Sequence, residues 1–159
     1  MVRNVSKCLV LAGLMWISWL ACKRVDCPAN KTELVNKFNQ FVNSTVRNKR
    51  FYSIREWESK DQEFSDYLQN CYTKFDTILY LDERQKFWSD AIRYYFKRYD
   101  TRVTVELLNS KNPNSKIMQN QIKSTWANPD QAFTEIFREF TGLKFDDALE
   151  AARDSTVNK

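Results

Sequence analysis

From residue 30 to about residue 140, apolar residues recur three and four positions apart with polar residues between them. That spacing gathers them on one face of a helix of 3.6 residues per turn. Asn30 with Glu33 three residues on has capping-box character. It opens a first helix to about Asn48 whose inward face is Leu34, Phe38, Phe41, Val42 and Thr45. A polar turn from Arg47 to Tyr52 follows, and Ser53-Ile54-Arg55-Glu56 is a sharper capping box for a second helix. Trp57, Phe64, Leu68, Cys71, Tyr72 and Phe75 hold its apolar face, which Asp61 interrupts one turn after Trp57. The second helix is expected to end near Asp76. Asp82 with Gln85 is expected to cap a third, running to about Asn109 through Trp88, Ala91, Ile92, Tyr95, Tyr99, Val103 and Leu107.

Asn109 to Ser115 is the most loop-like stretch and sets a boundary segment over 110–116. Beyond it, Met118, Ile122 and Trp126 predict a short helix from Ile117 to Trp126. Asn128-Pro129 reads as an N-cap followed by proline at the first helical position, opening a helix that buries Phe133, Ile136, Phe137 and Phe140 and stops at Gly142. Phe145 to Arg153 predicts a last helix before a polar tail over 154–159. The expected fold is all-α: an up-down-up three-helix bundle over 30–109, with two or three additional C-terminal helices within 117–153 packed on it.

Composition supports this and removes chemistry. Two glycines and three prolines in 159 residues are too few for a turn-rich β fold. The glycines, Gly13 and Gly142, stand too far apart to build a phosphate-cradling loop. The chain has no histidine, so imidazole bases, Ser-His-Asp or Cys-His nucleophiles and His-ligated metals are excluded.

The first residues read as an address. Arg3 and Lys7 precede an apolar run from Cys8 to Ala21, the layout of a secretory signal and shorter than the ~20 apolar residues of a spanning helix. Cutting after Ala21 by an ordinary signal peptidase would put bulky Trp19 where a small residue belongs. Leu20-Ala21-Cys22 instead resembles the end of a bacterial lipoprotein signal. That resemblance implies removal of residues 1–21, diacylglycerol on the Cys22 thiol and acylation of its new amine. An uncleaved signal anchor, favoured by Lys23 and Arg24 just past the run, and a plain secreted protein are the alternatives. Residues 22–29 then form a tether. The remaining 138 residues suffice for one domain with its own core and carry an excess of about three positive charges.

The order of Trp57 in a Ser53-capped helix, Leu81-Asp82-Glu83-Arg84, and a third helix with Arg93, Tyr94 and Tyr99 resembles an uncharacterised family of small all-helical lipoproteins from Gram-negative bacteria, over about residues 31–105 plus the leader. The resemblance implies a helical fold and an envelope location. It brings no activity, cofactor or site residue.

Three sets of residues are candidates for chemistry. Cys27 and Cys71 remain once Cys8 leaves with the leader and Cys22 is lipidated. They lie at neighbouring ends of an antiparallel hairpin, so an oxidising compartment could bridge them. Equally, Cys71 could be a small buried hydrophobe and Cys27 a tether thiol. Arg47, Lys49 and Arg50 with Phe51 and Tyr52 form one basic-aromatic cluster, and Arg93, Lys97, Arg98 and Arg102 with Tyr94, Phe96 and Tyr99 form another. Cations beside rings suit nucleic acid or another polyanion, although Asp90, Asp100 and Glu106 dilute the second cluster and favour a solvated face. Tyr94 and Phe96 leave the third-helix stripe, so either the C-terminal helices cover them or a partner does. Asp146-Asp147 and Glu135 with Glu139 are poor carboxylate pairs for catalysis, since neighbours on one helix do not face each other across a cleft. The expectation is a lipid-anchored, non-enzymatic module of the envelope, on the outer membrane in preference to the inner. It needs no metal or cofactor and binds a protein or envelope component. Glycan or polyanion binding through the basic-aromatic surfaces is the alternative, a carboxylate hydrolase comes third, and nucleic acid is disfavoured.

Overall fold

The structure, a computed structural model, describes residues 25–48 and 51–141, with the backbone alone at Phe137, Glu139, Phe140 and Thr141. The expected leader over 1–21, Cys22, Lys49, Arg50, Asp146-Asp147, the Gly142 cap, the helix from Phe145 and the tail lie outside the described residues.

Every regular element among the described residues is helical. Helix α1 (Lys31–Val46) begins where expected: the Asn30 side chain accepts from the Glu33 amide, and Glu33 reaches back to the Ala29 amide. Helix α2 (Ile54–Asp66) carries the full reciprocal box between Ser53 and Glu56. It does not continue as α-helix to Asp76. A π-turn at Tyr67–Cys71 and a 3₁₀ turn at Tyr72–Lys74 complete it. The residue added by the π-turn rotates the end of the helix, so that Tyr67, Leu68, Cys71 and Tyr72 are all buried.

Helix α3 (Leu81–Tyr99) starts two residues earlier than the Asp82 cap predicts: Glu83 accepts from the Tyr80 amide, leaving Asp82 inside the first turn. It also stops ten residues early. Asp100 takes φ 49° and ψ −125°, a strained backbone for a non-glycine residue that costs about 1–3 kcal/mol. After a 3₁₀ turn at Asp100–Arg102 the chain forms the short α4 (Val103–Leu107). The expected 110–116 loop is shorter as well. Asn112 caps α5 (Pro113–Thr125), accepting from the amides of Asn114 and Ser115, with Pro113 at the first turn. Pro113 thus starts a helix, a position its missing N–H and fixed φ suit. Helix α6 (Pro129–Thr141) follows, its Asn128 cap accepting from the Gln131 amide.

The first three helices form an up-down-up bundle, and the long-range pairs show its register. Lys31 meets Glu83, Asn39 meets Asp90, Asn43 meets Arg93 and the Asn48 carbonyl meets Lys97, so α1 and α3 run parallel. Cys27 meets Cys71, Phe38 meets Phe64 and Thr45 meets Lys60, so α2 runs against them. The core is aromatic. Phe38 sits at its centre, 4.1 Å from Phe87 and 5.2 Å from Tyr67 between ring centroids, while Phe64 stacks on Tyr94 at 4.2 Å. Helix α5 packs on α3, where the Tyr95 hydroxyl lies 3.0 Å from the Ser115 hydroxyl, and Phe133 of α6 meets Phe96 at 5.4 Å.

Candidate functional site

The tether and the second helix converge first. Cys27 is bonded to Cys71 as a disulfide, with their Cα atoms 5.1 Å apart, and Cys71 is fully buried. Capping fixes the start of α1 and the π-turn rotates Cys71 toward it. Of the two readings open to these cysteines, the structure takes the bridge. Two residues earlier, the Val25 amide donates to Asp66 at 3.1 Å. Asp66 is buried and also accepts from the Gln62 and Asn70 side-chain amides, so three N–H groups satisfy its carboxylate. Val25 and Cys27 are thereby fastened to the core.

The turn after this end of α2 exposes Ile78, Tyr80 and Leu81, at 56%, 70% and 59% of their surface, with buried Leu79 between them. The Lys31 ammonium lies 3.4 Å from the Tyr80 ring centroid and pairs with Glu83 at 2.8 Å. Phe51 and Ile54, more exposed still, occupy the opposite end of the bundle.

The basic-aromatic clusters resolve differently from expectation. Of the two readings open to Tyr94 and Phe96, cover by other helices or a partner site, the structure takes the first: both are buried. Phe96 is covered by α6. Tyr94 is covered by α1 and α2, through Phe41, Phe64 and Trp57. The Tyr94 hydroxyl donates to Asp61 at 2.8 Å, and the Arg98 Nε donates to the same carboxylate at 3.0 Å. Burial first, then the neighbouring negative charge of Asp61, pushes the Tyr94 hydroxyl far above the ordinary phenol range. Arg98 also lies over the Trp57 ring at 4.9 Å. Asp61, which looked like an interruption of an apolar face, is the acceptor that this buried phenol and partly buried cation require.

Arg93 donates to Asp90 at 2.7 Å and to the Asn43 side chain at 3.0 Å, and Lys97 donates to the Asn48 carbonyl at 3.0 Å. Tyr52, half-buried, donates to the Thr45 carbonyl at 3.3 Å and packs edge-on against Trp57. These cations and rings are committed to the fold and do not form a stacking platform. Arg47 and Arg93 do come together, with Lys86, in a polar cleft of about 460 Å³ between α1, α3 and α6. Among the described residues that line it, the carboxylate is Asp90. A second depression, about 350 Å³ and mainly apolar, lies between α4, α5 and α6 against Leu107, Leu108, Ile122 and Phe133. Glu135 is exposed and accepts from Gln131 one turn earlier. No helix among the described residues is long and apolar enough to cross a membrane.

Compared with protein-family models, with curated proteins and with solved structures, the chain shows no match.

Proposed function

We propose that this protein is a lipid-anchored module of a Gram-negative cell envelope, akin to the small helical lipoproteins that its leader, Trp57, Leu81-Asp82-Glu83-Arg84 and Tyr99 resemble. Diacylglycerol on Cys22 holds it to a membrane, the outer in preference to the inner, and it works by binding a protein or envelope component without catalysis. The observation that carries the reading is the Cys27–Cys71 bridge, five residues beyond the lipobox-like cysteine. Disulfides persist in the oxidising compartments that an exported chain enters. This one fastens to the core the short segment on which an anchored domain would hang. Two or more acyl chains give stable attachment, at about 0.8 kcal/mol per buried CH₂.

The test is the N-terminal peptide of the full chain expressed in a bacterial envelope. Cleavage before Cys22 with the mass of a diacylglycerol is expected, together with loss of both in Cys22→Ala. An unmodified N-terminus, or one elsewhere, would remove the reading.

A second reading, binding of an anionic glycan or other polyanion, is supported by the cleft where Arg47 and Lys86 stand beside the Arg93–Asp90 pair. It requires salt-sensitive retention on an anionic polysaccharide that Arg47→Ala with Lys86→Ala abolishes.

A further inference from the structure

We propose that the Ile78, Tyr80 and Leu81 turn is a membrane-contact surface, seated in the headgroup region of the bilayer that holds the anchor; this rests on the Cys22 lipidation proposed above. The argument is one of reach. Val25 is fixed to Asp66 and Cys27 to Cys71, both on the last turns of the second helix. Val25 is only three positions after Cys22, so at full extension the lipidated residue lies within about 11 Å of Val25. The domain cannot stand away from the surface on a long stalk, and the end of the bundle bearing the bridge is the end held at the membrane.

That end is where the apolar turn projects. Pairing of Lys31 with Glu83 and its stacking on Tyr80 place the start of α3 beside the start of α1, four residues after Cys27. Ile78 and Leu81 present aliphatic surface that folding leaves in water. Tyr80 is amphipathic, a residue type enriched at membrane interfaces, where the ring meets hydrocarbon and the hydroxyl stays wet. Exposed Lys74 shares this end with exposed Asp26 and Asp82, so the apolar turn and not net charge carries the contact. Insertion of this turn would fix the orientation of the bundle and direct its opposite end, with Phe51 and Ile54, away from the bilayer.

Tryptophan depth in vesicles tests this. The full chain, processed in a bacterial envelope, is reconstituted in phosphatidylethanolamine and phosphatidylglycerol vesicles with or without lipid brominated near the top of the acyl chains. Tyr80→Trp, Leu81→Trp and the opposite-end control Ile54→Trp are each compared with the parent. An apolar face seated about 5–10 Å into the interface should give the added emission of Tyr80→Trp and Leu81→Trp a blue shift and about half its intensity lost to bromine, with Ile54→Trp unaffected. The acyl mass on Cys22 is read from the same preparations. If it is present and neither turn reporter is quenched more than Ile54→Trp, the contact surface is overturned while the anchor stands. If the acyl mass is absent, both proposals fall.

Discussion

Removing the Cys27–Cys71 bridge should cost the domain a large share of its stability. The bridge closes a segment of sequence separation 44, and in the chain-entropy description a loop of that length destabilises the unfolded state by about 4 kcal/mol at 25 °C. The native geometry adds to this, because Cys71 is fully buried and Cys71→Ala would leave a sulfur-sized gap costing about 1 kcal/mol. The bridge also holds the segment in which the Val25 amide reaches Asp66, and releasing that segment strips one donor from a buried carboxylate. Cys27→Ala with Cys71→Ala should therefore lose about 4–5 kcal/mol. Reductant acting on the unaltered chain should cost somewhat less, since it makes no cavity. For a domain of this size each kcal/mol moves Tm by about 3–5 °C, so the double variant should melt about 12–25 °C lower. Urea unfolding followed by circular dichroism and by tryptophan emission measures the effect, with thiol alkylation before and after reduction confirming the redox state. A shift under about 1 kcal/mol on verified reduction would refute the entropic argument, and two alkylatable thiols at positions 27 and 71 in the exported protein would refute the bridge.

Three further outcomes follow from the core and the Asp61 network. Tyr94→Phe should cost about 1 kcal/mol by deleting one hydrogen bond, whereas Asp61→Ala should cost about 2–3 kcal/mol because it strands a buried hydroxyl and the Arg98 guanidinium together; equal urea midpoints for the two variants would contradict this. Phe38→Ala, at the centre of the aromatic cluster, should lose about 3–5 kcal/mol, while Phe51→Ala, fully exposed, should stay within about 0.5 kcal/mol of the parent in the same titration. Alkali should unfold the domain: burial pushes the Tyr72 hydroxyl up to about 12 and holds Tyr94 and Tyr95 above the ordinary phenol range too. Unfolded phenols ionise near ~10. Stability present below about pH 10 therefore falls as pH rises toward 12, by up to ~1.4 kcal/mol per pH unit for each such tyrosine, because the unfolded chain then holds fewer protons. Tyrosinate absorbance from these residues should appear together with loss of helix, and its completion near pH 10 with the helices intact would refute the assignment.

Local chemistry was legible in the sequence because it is local. The boxes at Asn30 and Ser53 and the Asn128-Pro129 start each satisfy orphan amides with side chains a few residues away, and apolar spacing marks a helical face wherever the helix lies. The all-α class, the three-helix bundle and the helices added to it followed from those signals. So did the pairing of Cys27 with Cys71 as one of two open readings, since arm lengths in a hairpin are countable.

What tertiary structure decided is where a backbone irregularity or a distant partner intervenes. The π-turn at Tyr67–Cys71 has no residue signature, yet by rotating the helix it buries Tyr67 together with Cys71. The break at Asp100 defied a stripe that still faced the core, because α3 ends there and Val103 and Leu107 are carried inward on a separate short helix. Asp61 reads as a defect until Tyr94 and Arg98, more than thirty residues away, arrive beside it. Arg93, Lys97 and Arg98 look like a basic surface in one dimension because a sequence shows charge and not its partner. Folding pairs them with Asp90, the Asn48 carbonyl and Asp61, since a cation or phenol taken from water must find an acceptor inside the fold.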